Sequence, residues 1–142
     1  MVVHLAQTLR AVATLCPNLR EAEAITSETD PARAADALLD AGVREVVAIT
    51  LGENGCYMKP IGGPGEYIAP QKASTVYTTG AGDAFVAGML AAWYKGHDWT
   101  TAGRIANVVG AMATTELGAA EGIRDWGEIL RLTTTTPPQS PS

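Results

Sequence analysis

An α/β layered fold is what this sequence predicts, because apolar strand-like runs alternate along it with helical segments. EVVAITLG (45–52) is a nearly unbroken apolar run, the pattern of a strand buried on both faces of a parallel sheet. SETDPARAADALLDAG, just before it, is a helix with clear start and stop residues, and two longer helices are predicted at 82–95 and roughly 100–117.

The elements follow in order. Residues 3–11 read as the end of a helix, and VATLC (12–16) as a short buried strand stopped by Pro17 and Asn18. REAEAI carries a brief helix. In the next helix Ser27, Thr29 and Asp30 lead to Pro31 near the first helical position, where a fixed φ and a missing N–H are tolerated, and Gly42 closes it. ENG after the apolar run marks a tight turn, since Asn-Gly accepts positive φ. CYMKPI and EYIAP form a hairpin around GGPG, spanning 56–69; Pro64 inside that loop removes an amide donor, so it is not read as an anion site. After the two long helices come a loop from Gly118, a last helix near 125–131, and TTTTPPQSPS. Residues 1–132 are expected to be folded, and 133–142 to be a low-complexity, disordered tail.

Bulk properties exclude several classes. Hydrophobic residues make up 46% and charged residues 18%, a globular composition. The net charge of −5, with no run of Lys or Arg, argues against a nucleic acid held through its phosphates. Apolar runs are too short and too interrupted by Gly to span a bilayer. MVVHLAQTLRAV lacks the basic start, apolar core and cleavage site of a signal peptide. Cys16 and Cys56 stand in no metal-ligand spacing and read as reduced core thiols. These features together predict a soluble cytoplasmic protein. Neither His4 nor His97 has a nucleophile partner nearby, and His97 in KGHDW reads as a solvated residue at a helix junction.

The stretch VYTTGAGDAF (76–85) carries the chemistry. A β-branched run gives way to Gly80 and Gly82, Asp83 follows at once, and an apolar helix begins. Gly-x-Gly at a helix entrance lets backbone N–H groups converge without obstruction by a Cβ, and the positive end of the macrodipole adds to an anion site. No Lys-Ser/Thr follows, as a Walker loop requires, and the third Gly of a dinucleotide fingerprint is missing. An acid beside such a site can accept a proton from a hydroxyl attacking a bound phosphorus, which describes phosphoryl transfer to an alcohol. On spacing alone an equal reading stays open: Asp83 is a favourable first-turn carboxylate and the glycines only permit close helix packing.

TTGAGDAFVAG resembles the C-terminal signature of the ribokinase-like (PfkB) carbohydrate kinase family. In the right order, PNLREAEAIT resembles that family's Asn-x-x-Glu segment and ITLGENGCY its nucleotide-site strand and turn. AGRIANVVGAMATTELGAA resembles the helix and loop that close over the adenine, and the likeness runs from about residue 8 to residue 131. The resemblance implies a doubly wound sheet flanked by helices, with ATP and Mg²⁺ as cofactors and a sugar or nucleoside as substrate. It implies Asp83 as catalytic base and the backbone of Gly80, Ala81 and Gly82 as anion hole. Asn18 and Glu21 would act near the phosphates, Glu21 reaching Mg²⁺ through water. Thr50, Gly52 and Gly55 would belong to the nucleotide strand and turn, and Asn107 and Gly118 would border the base. Taken singly, Asn18 and Glu21 also read as a helix capping box, and Asn107 as a polar residue on a buried helix face.

Two departures from the family pattern stand out. Tyr77 occupies the place of the acid that in relatives helps hold a monovalent cation; a phenol is a poor substitute, which argues against such a cation here. The family's N-terminal half, with most of the sheet, a small lid and the groups that grip the sugar, has no counterpart in this sequence. The chain therefore reads as a C-terminal portion: a truncated gene product, a mis-started frame or a relic. Its expected behaviour alone is self-association, through a strand edge beside VATLC, with no kinase turnover. The alternative function is an inert nucleotide-binding or interaction module derived from such a kinase.

Overall fold

Local capping chemistry starts most of the helices. The structure is a computed structural model that describes residues 2–71, 80–115 and 125–135. Its elements are α1 (Val2–Ala11), β1 (Thr14–Leu15), α2 (Leu19–Thr26), α3 (Pro31–Asp40), β2 (Val46–Thr50), β3 (Cys56–Pro60), β4 (Glu66–Ile68), α4 (Ala81–Tyr94), α5 (Trp99–Ala113) and α6 (Trp126–Thr135). Asp30 caps α3 by accepting from the Arg33 N–H at 3.1 Å, with Pro31 in the first turn as the sequence predicts. Asp98 caps α5 and Asp125 caps α6 in the same way, through the Thr101 and Glu128 amides. Such caps satisfy N–H groups that have no partner inside the helix.

The chain divides into two compact units, residues 1–67 and 68–142. In the first, the sheet order is β1-β2-β3-β4, with β1 parallel to β2 and β2 antiparallel to β3. This mixed sheet with flanking helices is the α/β layering the sequence predicts. Val46 to Ile49 are fully buried, as an apolar run without alternation requires. Leu9 of α1, Ala22 of α2, and Ala34, Ala35 and Leu38 of α3 pack with Val47 and Ile49 into one apolar cluster. Gly42 closes α3 at φ 128°, where an added Cβ would lie 2.5 Å from Arg10 Cγ. Helix and strand are therefore joined by a turn that glycine alone fits without strain.

β1 differs from expectation. It is two residues long rather than five and only half-buried, because it stands at the edge of the described sheet. Cys16 accordingly is half-buried, while Cys56, inside the sheet, is fully buried.

In the second unit α4 and α5 pack tightly side by side. An added Cβ on Gly88 would lie 2.9 Å from Val109 Cβ, so glycine is what lets the two backbones approach. The predicted continuation of α5 to residue 117 is not seen. The helix stops at Ala113, where the Thr114 and Thr115 hydroxyls donate to the Ala111 and Met112 carbonyls at 2.7 Å. Side-chain bonds of this kind compete with helix continuation. α6 runs past the expected residue 131 to Thr135, so the first residues assigned to the tail are helical. The Thr133 hydroxyl donates to the Ile129 carbonyl within that helix, at 2.8 Å. Not every apolar residue of α4 is covered: Leu90, Trp93 and Tyr94 are exposed, and Trp93 stacks on Trp99 at 5.3 Å. His97 is half-buried at the α4–α5 junction, with its ring 6.4 Å from that of Trp126. Among the described residues no helix is long and apolar enough to cross a membrane.

Candidate active site

A cleft opens where β2 ends at Thr50, three residues past the end of β1. Asn18 bridges Thr50 in parallel register just beyond β1, and the Thr50 N–H donates to the Pro17 carbonyl at 3.0 Å. Parallel strands present their carboxyl ends to ligands in this way. The cleft, of about 420 Å³, is lined by Asn18, Leu19, Arg20, Pro31, Thr50, Leu51, Gly52 and Asn54. Three expected nucleotide-site residues, Asn18, Thr50 and Gly52, therefore share one concavity.

The turn after β2 explains the two glycines there. Gly52 has φ 60°, Gly55 has φ 88° with ψ −134°, and a short 3₁₀ turn joins them over Gly52–Asn54. The Leu51 N–H donates to the Gly55 carbonyl at 2.8 Å, closing the turn so that Cys56 pairs with Thr50. Gly52 faces the cleft, and a Cβ there would meet nothing within 4 Å. Gly55 is not among the residues that line the cleft, and its positive φ is one that glycine accommodates.

Asn18 and Glu21 form a complete capping box. The Glu21 N–H donates to Asn18 Oδ1 at 2.9 Å, and the Asn18 N–H to Glu21 Oε2 at 3.0 Å. Both residues are exposed, and Glu21 keeps Oε1 without a partner among the described residues. Sequence reasoning missed Arg20, which lies between them on the cleft wall. It has no carboxylate partner among the described residues. A signal was available: a cation in the first turn of a helix opposes the dipole, and such local conflicts gather at functional sites.

The mouth of α4 is built differently from those of α2, α3, α5 and α6. Gly80 occupies the N-cap position at φ 87° and supplies no side-chain cap, so no side chain among the described residues caps the amides of Ala81, Gly82 and Asp83. α2, α3, α5 and α6 all have an Asn or Asp in that role. Gly82 is exposed, and an added Cβ would meet nothing within 4 Å among the described residues, so packing against them does not explain this glycine. Asp83 stands in the first turn, exposed, with no hydrogen-bonding or ionic partner among the described residues. Open donors beside an unengaged carboxylate can bind an anion and accept a proton.

Asn107 is half-buried, and its side-chain amide donates to the Ala69 carbonyl at 3.0 Å and to that of Ile68 at 3.4 Å. Its nitrogen is thus engaged by backbone. Gly118, Tyr77 and the threonines before Gly80 lie outside the described residues. Among the described residues no group of three or more His, Cys, Asp or Glu side chains is placed to hold a metal ion.

Residues 1–126 match the pfkB family of carbohydrate kinases. An uncharacterized sugar kinase of Archaeoglobus fulgidus is 39% identical over 115 residues, covering 81% of this chain and 45% of that protein. The structure of Arabidopsis thaliana ribokinase complexed with ribose and ATP superposes with a TM-score of 0.82 at 25% identity, over 92% of this chain and 44% of that one. An Escherichia coli protein assigned as a ribokinase II, in complex with ATP and Mg²⁺, gives a TM-score of 0.81 at 27% identity, over 92% and 42% of the two chains. This chain therefore spans less than half the length of these relatives.

Proposed function

This chain belongs to the pfkB family of carbohydrate kinases, and from that premise we propose that it serves ATP-dependent phosphoryl transfer to a hydroxyl of a sugar or nucleoside. The observation that carries the proposal is the mouth of α4, where, among the described residues, no side chain caps the first amides or engages the carboxylate of Asp83. In this reading the amides of Ala81 and Gly82, next to Gly80, receive the transferring phosphoryl group. Negative charge on its oxygens is then met by fixed donors that need no reorganisation. Asp83 accepts the proton of the attacking hydroxyl.

The first unit's cleft would take the nucleotide. Thr50 and Gly52 line it without obstruction, and Asn18 offers its Nδ2 donor, since only Oδ1 is engaged in the capping box. Arg20 supplies a positive charge suited to phosphate oxygens. Glu21 suits a magnesium ion held through water, because Oε1 has no partner among the described residues and Mg²⁺ keeps much of its hydration shell. Magnesium, when bound with ATP, would supply charge neutralisation on the phosphates. Gly55 acts by shaping the turn, and Asn107 and Gly118 would lie toward the base.

A second reading is nucleotide binding without turnover, favoured by the limited share of the relatives' length that the chain covers. A screen of ADP release from ATP against a panel of sugars and nucleosides, with calorimetric ATP titration, separates the two. Acceptor-dependent release supports transfer; binding without release supports the inert module; the absence of both removes each. Sedimentation at low concentration tests the self-association expected of the β1 edge.

A further inference from the structure

Gly110 of α5 lies against the first turn of α4. A Cβ placed on it would stand 3.3 Å from the Ala81 carbonyl oxygen and 3.6 Å from Phe85 Cβ. That carbonyl shares a planar peptide unit with the Gly82 N–H, so whatever moves one turns the other. A Cβ placed on Gly82 would meet nothing within 4 Å among the described residues. One peptide thus has its oxygen seated on α5 and its N–H at the exposed helix mouth.

We infer that Gly110 is a positioning residue: the absence of a side chain there sets the orientation of the Ala81–Gly82 peptide and so aims the Gly82 amide at its anion. The contact at Gly88 serves as the contrast. A Cβ there would come within 2.9 Å of Val109 side-chain atoms and 3.3 Å of Ala106 Cα, touching no atom of the helix mouth. Both glycines bring α4 and α5 together, but only Gly110 bears on a peptide of the proposed anion hole. Asn107, one turn earlier on α5, holds the Ile68 and Ala69 carbonyls, so the helix grips the chain both before and after residues 70–80. The identity of the anion rests on the phosphoryl-transfer reading; the contact and its effect on the peptide do not.

The test uses the ¹⁵N-labelled full chain as wild type, Gly110→Ala and Gly88→Ala, followed by amide NMR with ATP as probe. Without ligand, G110A should displace the Gly82 amide resonance, whereas G88A should lower the melting temperature and leave that resonance in place. With ATP, G110A should raise the apparent Kd about tenfold, the scale of one hydrogen bond misaligned. An unmoved Gly82 resonance in G110A, or an equal displacement in G88A, would overturn the inference. In the wild type the same contact requires an NOE between a Gly110 α-proton and the Phe85 β-protons. Its absence overturns the inference even if G110A does not fold. If ATP moves no wild-type resonance at Gly82, the anion-hole reading fails, and the ligand-free comparison still decides the role of Gly110.

Discussion

Asn18 lies across from Thr50 as the last parallel bridge beyond β1, while its side chain accepts the Glu21 amide at 2.9 Å. One residue thus both starts a helix and forms a wall of the cleft. The two roles can be separated by substitution. Asn18→Ala removes the cap and should cost about 1 kcal/mol. Asn18→Asp keeps the cap, since Asp accepts the same amide, but puts a negative charge where phosphates are expected. Thermal denaturation should therefore show N18D near wild type and N18A lower, while ATP titration shows both weakened. Unchanged ATP affinity in N18D would reduce Asn18 to a helix cap.

Asp83 has no partner among the described residues, so Asp83→Asn should leave the fold intact. If the carboxylate accepts the hydroxyl proton, acceptor-dependent ADP release should fall about 10²- to 10⁴-fold. ATP affinity should survive, because the Ala81 and Gly82 amides stay in place. A parallel loss of binding and turnover would point to a structural carboxylate instead.

Hydrogen bonding by Thr101 holds the Asp98 carboxyl below the usual carboxylate range, the backbone amide donating at 2.7 Å. A lowered folded value means that the native state binds fewer protons than the unfolded state while the group titrates. Its stabilising contribution is complete above the ordinary carboxylate range and is lost as pH falls through the lowered value. Asp98→Asn preserves a cap but does not titrate there, so the variant should show a shallower fall in melting temperature on acidification. An identical acid profile would remove Asp98 from the pH dependence.

Burial pushes the Cys16 thiol up to about 11. At neutral pH its thiolate fraction should lie roughly a hundredfold below that of an exposed cysteine, and alkylation should slow in proportion. Peptide mapping after iodoacetamide treatment of folded and denatured protein reads this directly. The stability that accompanies a retained proton declines as pH rises from about 9 to about 11. Rapid modification of Cys16 in the folded protein would contradict the half-buried setting of the β1 edge.

What the sequence by itself determined were features set by near neighbours along the chain. Asp30 and Pro31 start α3, the apolar run 46–49 makes a fully buried strand, and Gly80 before Asp83 places an acid in the first turn of α4. Caps, strand patterning and positive-φ turns act over a few residues, so they are legible without the fold. The capping box of Asn18 and Glu21 was legible for the same reason. Tertiary structure decided the rest. Asn18, Arg20, Thr50 and Asn54 meet in one cleft because the parallel pairing of β1 and β2 brings Asn18 opposite Thr50, a register fixed by packing between distant segments. The half-burial of β1 follows from its place at a sheet edge, which no local pattern encodes. The seating of Ala81 on Gly110 depends on how closely α4 and α5 approach, and that distance is set by which side chains are missing between them. Contacts of this kind belong to pairs of elements, and a single segment carries no record of its partner.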